Sequence, residues 1–81
     1  MDSAAILERL TPIFRRILDC DTLILSDTLV LKELRNWDSM NQINLIVAIE
    51  LDFHLKFQLV DVTRIQSVKD VVEIINAKTS N

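Results

Sequence analysis

Apolar positions in the first part of the chain fall at helical spacing. Ile6, Leu7, Leu10, Ile13, Phe14, Ile17 and Leu18 recur at offsets of three, four and seven residues, which puts them on one stripe of a helix. The pattern predicts a helix from about Ser3 to Asp19. Pro12 lies inside it and removes one backbone hydrogen bond, so a kink there, or a restart capped by Thr11, is expected. From Cys20 to Asp38 the periodicity lapses into two clusters, Leu23-Ile24-Leu25 and Leu29-Val30-Leu31, separated by Ser26-Asp27-Thr28 and closed by Arg35-Asn36-Trp37-Asp38. This reads as a long loop that still turns apolar side chains inward, and long loops in small domains are often functional.

Order resumes with Met40, Ile43, Ile46, Val47, Ile49 and Leu51, a second helix that starts at Asp38-Ser39 and ends near Phe53. Either short polar side chain at its start can cap the free N–H groups. A short apolar third element follows around Leu59 to Arg64. The fourth opens on a capping-box-like pair, Ser67 and Asp70, and runs to about Ala77 with Val68, Val71, Val72 and Ile75 facing inward. Residues 78–81 are expected to form a disordered polar tail. Strands compete for the β-branched stretch from Asp70 to Ile75, but the chain contains no Gly, the residue that tight hairpin turns favour most. The prediction is therefore all-α: a four-helix unit with a long loop between helices 1 and 2 and a short third helix.

Composition narrows the function. The 81 residues make a single domain, and 49% hydrophobic with 26% charged residues is enough for one modest core. Without Gly the chain has neither a P-loop nor a Rossmann fingerprint, both of which bring backbone against a phosphate. Cys20 and His54 are the sole Cys and His, too few for an internal disulfide or a four-ligand zinc site. The N-terminal Met-Asp-Ser-Ala-Ala-Ile-Leu-Glu-Arg lacks the pattern of a secretory signal. No apolar run approaches the ~20 residues of a membrane span, so a soluble, cytoplasmic protein is expected. A net charge of −3 and a pI near 4.9 argue against nucleic acid and for basic partners.

The most informative stretch is Trp37-Asp38-Ser39-Met40-Asn41-Gln42-Ile43-Asn44-Leu45-Ile46-Val47-Ala48-Ile49-Glu50, continuing to Phe53. It resembles the acyl carrier protein family, whose signature is Asp-Ser-Leu or a close variant at the start of the second helix. An aliphatic helix follows, ending in a Glu a little before a Phe. Asp38-Ser39-Met40 stands for the first part, and Leu45, Ala48, Ile49, Glu50 and Phe53 match the rest. Ile65, Val68, Val71, Val72 and Ile75 fall at the spacing of the family's third and fourth helices, so the resemblance covers nearly the whole chain.

The resemblance implies that Ser39 carries 4′-phosphopantetheine, donated by coenzyme A, whose terminal thiol holds an acyl group as a thioester. A phosphodiester there would sit at a helix N-terminus, an effect worth about 0.3–1 kcal/mol at an exposed site. No His or Lys base stands in the local sequence, so Ser39 is no self-activated nucleophile and a phosphopantetheinyl transferase must modify it. On helix-start statistics alone Ser39 would be only an N-cap; the resemblance reverses that order. Asp38 is read both as a second capping candidate and as a contact for the transferase.

With Leu45, Ile46, Ala48 and Ile49 facing the core, Met40, Ile43 and Val47 lie on the opposite, open side of helix two. The resemblance makes that face, together with Asp38 and Glu50, the surface that meets partner enzymes. The chain departs from the family in charge: Asn41, Gln42 and Asn44 replace residues that are often acidic, and Leu51 follows Glu50. Asp38, Glu50, Asp52 and Asp61 against Lys56 give this segment −3, the whole net charge, while the acids and bases outside it cancel. Partner recognition is therefore expected to lean on apolar contact more than on long-range attraction. Trp37 is expected to plug the loop onto the helices, Cys20 to act as a small half-buried hydrophobe, and His54 to be solvated or to cap the end of helix two.

The departures point to a specialised carrier, in polyketide or specialised lipid synthesis, rather than the main carrier of fatty acid biosynthesis. The competing functions are an aminoacyl or peptidyl carrier, which Ser39 alone does not distinguish, and an unmodified helical adaptor. A stand-alone enzyme fits least, because the sequence offers no acid–base pair, metal cluster or nucleophile–base arrangement. Beginning with Met and spanning one domain, the chain reads as a discrete monomeric carrier. Its implied partners are the transferase and an acyl-activating ligase, acyltransferase or ketosynthase.

Overall fold

The computed structural model describes residues 2–79. Its elements are α1 (Ser3–Ile17), a single 3₁₀ turn (Leu31–Glu33), α2 (Ser39–Phe53), α3 (Leu59–Arg64) and α4 (Val68–Thr79). No strand occurs among the described residues. The nearest approach is an isolated antiparallel bridge between Val30 and Ser67.

Helix α1 starts where the Asp2 carboxylate accepts from the Ala5 N–H at 2.8 Å. Pro12 does not end it, and Thr11 does not restart it. The helix is continuous, and the Thr11 hydroxyl donates back to the Leu7 carbonyl at 2.9 Å. Both Pro12 and Glu8, whose carbonyl loses its donor to the proline, are exposed, so water can satisfy the freed oxygen. The helix stops two residues short of the expected Asp19. There Asp19 turns left-handed (φ 53°) and the Cys20 N–H reaches back to the Arg15 carbonyl at 3.0 Å. Glycine usually fills such a helix-ending position. In a chain without Gly, Asp19 and, at the end of α2, His54 (φ 56°) take it instead.

Ile6, Leu10, Ile13 and Phe14 of α1 pack with Leu45, Ile49 and Phe53 of α2 and Val68, Val71, Val72 and Ile75 of α4 in one buried cluster. Arg9 clamps the end of α2 onto α1. Its guanidinium donates to the Asp52 carbonyl at 2.6 Å and carboxylate at 2.9 Å, and lies 4.1 Å from the Phe53 ring centroid. The long loop is bound along its length. Arg15 Nε donates to the Leu23 carbonyl at 2.8 Å, and Leu31 is buried in the core. The Asp27 and Leu29 carbonyls accept from Lys69 and Val68, each at 3.0 Å, which satisfies two N–H groups that the first turn of α4 leaves open.

The Ser67–Asp70 capping box forms as read from the sequence: the Asp70 N–H donates to Ser67 Oγ at 3.3 Å, and Asp70 Oδ2 accepts from the Ser67 N–H at 3.1 Å. Helix α4 runs to Thr79, two residues beyond the expected end near Ala77. Lys78 and Thr79 are therefore helical rather than tail, held by the Lys78–Asp61 ion pair at 3.0 Å and by the Thr79 hydroxyl on the Ile75 carbonyl at 2.8 Å. Ser80 and Asn81 lie outside the described residues.

Candidate functional site

The segment singled out by sequence is where the long loop becomes α2. Asp38 is the N-cap, its carboxylate accepting from the Asn41 N–H at 2.7 Å while its carbonyl takes the Gln42 N–H at 2.9 Å. Ser39 is thereby the first residue of the helix and not its cap. Its side chain is exposed and makes no hydrogen bond among the described residues. The N–H groups of Ser39 and Met40 also remain open to an incoming acceptor, although the Asp38 carboxylate already uses part of the helix dipole.

A polar bracket fixes this junction. Asn36 stands in the left-handed region (φ 68°) and its side-chain amide donates to the Leu18 carbonyl, at the end of α1, at 3.0 Å. Its own carbonyl accepts from Asn41 Nδ2 at 2.8 Å. The Trp37 N–H donates to the Leu34 carbonyl at 3.2 Å, and the half-buried indole packs on the core, as expected of a plug. Asn36 and Asn41 were not among the sequence candidates. The signal in the sequence is that four amides, Asn36, Asn41, Gln42 and Asn44, crowd around the Asp-Ser pair.

Met40 (65% exposed), Ile43 (59%) and Val47 (48%) form one outward stripe on α2, as the helical spacing predicts, and Leu51 (72%) extends it by another turn. The spacing places Leu51 in the helix without assigning it to this outward face. Beyond the helix, Leu59 (80%) and Val60 (58%) at the start of α3 add exposed apolar surface. Contiguous exposed apolar residues mark surfaces that bind other molecules. Glu50 stands apart from the stripe: half-buried, its Oε2 accepts the Phe57 N–H at 2.8 Å and so anchors the segment between α2 and α3. His54 ends α2 in an exposed position, and Cys20 is half-buried with its sulfur 3.9 Å from Thr22 Oγ1. Among the described residues no group of three or more His, Cys, Asp or Glu is arranged to hold a metal, and no helix is long and apolar enough to cross a membrane.

Asp61 carries the clearest electrostatic perturbation. The Gln58 N–H, which donates to its carboxylate at 2.9 Å, and the Lys78 ammonium at 3.0 Å hold it below the ordinary aspartate range. Its effect is structural, closing the N-terminus of α3 and tying α3 to α4.

No family model matches the chain, and no curated protein matches it. Among solved structures it is similar to the holo acyl carrier protein from Geobacter metallireducens, determined in solution by NMR. The two are 32% identical with a TM-score of 0.85, over 91% of this chain and 85% of that one. Identity of this level over nearly both full lengths, together with four helices in the same arrangement and a capped Asp-Ser start to α2, shows that the chain belongs to the acyl carrier protein family.

Proposed function

We propose that this protein carries acyl intermediates as thioesters on a 4′-phosphopantetheine arm attached to Ser39 and presents them to biosynthetic enzymes. The observation that carries the reading is the state of Ser39: an exposed, unengaged hydroxyl on the first residue of a helix whose capping duty Asp38 has taken over. A serine that merely capped the helix would spend its oxygen on a backbone N–H. The holo state of the similar Geobacter metallireducens protein supports the same cofactor.

When bound, the arm supplies a thiol that holds the acyl group. This chain's residues supply attachment and presentation. Ser39 Oγ would take the phosphodiester bond, and the open N–H groups of Ser39 and Met40 at the helix N-terminus would favour the negative charge it brings. The Asn36–Asn41 bracket and the Asp38 cap hold the junction in place. The stripe Met40, Ile43, Val47 and Leu51 is the docking face. Burying one such side chain contributes roughly 1.5–3 kcal/mol, a scale suited to partners that must be released. With Asn41, Gln42, Asn44 and Leu51 along α2, docking depends on apolar fit more than on charge. Partners are enzymes that load, modify or unload acyl groups, with a phosphopantetheinyl transferase acting first.

An aminoacyl or peptidyl carrier would use the same serine, and the identity of the loading enzyme separates it. The unmodified adaptor is separated by Ser39 itself. Ser39→Ala leaves the Asp38 cap and the fold in place while removing the acceptor, so incubation with coenzyme A and a transferase tests the reading directly.

A further inference from the structure

A groove of about 430 Å³ opens at the C-terminal end of α2, lined by Val47, Glu50, Leu51, His54, Leu55 and Lys56. Val47, Leu51 and Leu55 give it apolar walls. His54 and Lys56 are its basic lining residues. Glu50 also lines it, half-buried, with Oε2 accepting the Phe57 N–H. Lys56 is exposed, forms no ion pair among the described residues, and is the only Lys or Arg between Asp38 and Asp61. The groove thus sets an uncommitted cation beside apolar surface on a segment that is otherwise acidic.

The outward stripe on α2 leads from Ser39 to this groove. At about 1.5 Å of rise per residue, Leu51 lies about 18 Å along the helix axis from Ser39. A phosphopantetheine arm has about as many chain atoms as five extended residues, a reach of about 17 Å at about 3.3–3.6 Å per residue. A group attached to its end therefore comes level with Leu51, one turn short of His54.

Resting on the carrier reading above, we infer that the groove receives the cargo end of the arm and favours short acyl groups that end in a carboxylate. Methylene groups of the cargo lie against Val47, Leu51 and Leu55, and the terminal carboxylate accepts charge-assisted hydrogen bonds from Lys56 and an N–H of His54. A methyl-ended cargo of the same length gains the apolar contact but leaves Lys56 unused.

The test loads Ser39 with a matched pair of cargoes. A broad-specificity phosphopantetheinyl transferase is given succinyl-coenzyme A or butyryl-coenzyme A, acyl groups of equal carbon count ending in a carboxylate and a methyl. Intact mass reports loading, and backbone amide NMR shifts relative to the holo protein report docking. The expected result is shifts at Val47, Leu51, His54, Leu55 and Lys56 several-fold larger for the succinyl form. Lys56→Gln, an exposed substitution, is expected to bring them down to the butyryl level with helicity unchanged. Equal shifts for the two cargoes, or a succinyl response that survives Lys56→Gln, overturns the inference. If neither group loads, the mass spectrum alone shows it, and the carrier reading falls together with this one.

Discussion

Asn41 and Asn36 are joined side chain to backbone: the Asn41 amide donates to the Asn36 carbonyl at 2.8 Å, while Asn36 in turn reaches the end of α1 through the Leu18 carbonyl at 3.0 Å. The start of α2, and Ser39 with it, is thereby tied to α1 across the long loop. In sequence Asn41 reads as a position that has lost an acid; in the structure only a donor serves there. Asn41→Ala is expected to cost about 0.5–1 kcal/mol, the worth of an exposed hydrogen bond. Asn41→Asp should cost more, because it turns an anion toward the Asn36 carbonyl and sets it beside Asp38. Urea unfolding of both variants checks the order, and an Asp variant as stable as wild type would remove the bracket from the account.

Glu50 anchors the segment after α2 through the Phe57 N–H at 2.8 Å. Glu50→Ala strands a half-buried donor and is expected to lower stability by about 1–2 kcal/mol, with Glu50→Gln, which keeps an acceptor oxygen, losing less. A purely partner-facing Glu50 would leave the unfolding curves of both variants superimposed on that of wild type.

The carboxylate of Asp61 is held below the ordinary aspartate range by the Gln58 N–H and by Lys78. A depressed folded value means that the stabilisation is complete above the unfolded pKa of about 3.9 and is lost as pH falls through the lower folded value. Asp61→Asn should therefore be less stable than wild type by a constant margin near neutral pH, and the margin should shrink in acid. Denaturant titrations from about pH 7 down to about pH 3 measure it; a margin that grew in acid would reverse the assigned sign.

Met40 and Ile43 stand on the outward stripe and contribute little to the core. Ile43→Ser is expected to leave stability within about 0.5 kcal/mol of wild type. The same change should lower kcat/KM for modification by a transferase. With apolar contact dominating, the loss should persist with little change when salt is raised. Steep salt sensitivity of the wild-type reaction would instead assign recognition to charge.

Much of this architecture is legible in the sequence because it is local or periodic. The place of α3, the Ser67–Asp70 box and the open stripe of α2 are each local features, set within a few residues, where helical geometry leaves little choice. What escapes is the choice of distant partners. Nothing in Asp27 or Leu29 announces that their carbonyls receive the first N–H groups of α4, and nothing in Asn36 points to Leu18. Thr11 and Pro12 mislead in the other direction: local rules favour a break, but the buried stripe from Ile6 to Phe14 continues across them, and core packing overrides a single lost hydrogen bond on the exposed side. The Asp-Ser pair is legible as the start of α2, whereas the division between the two residues, cap and free hydroxyl, required the structure.

The central claim is that Ser39 is an attachment point, and the most direct measurement is intact mass after incubation with coenzyme A and a broad-specificity phosphopantetheinyl transferase, on wild type and Ser39→Ala. The expected result is a gain of one phosphopantetheinyl group by wild type and none by Ser39→Ala. A folded wild type that gains nothing, with the native host's transferase as well, or a Ser39→Ala variant that gains the same mass, would contradict it.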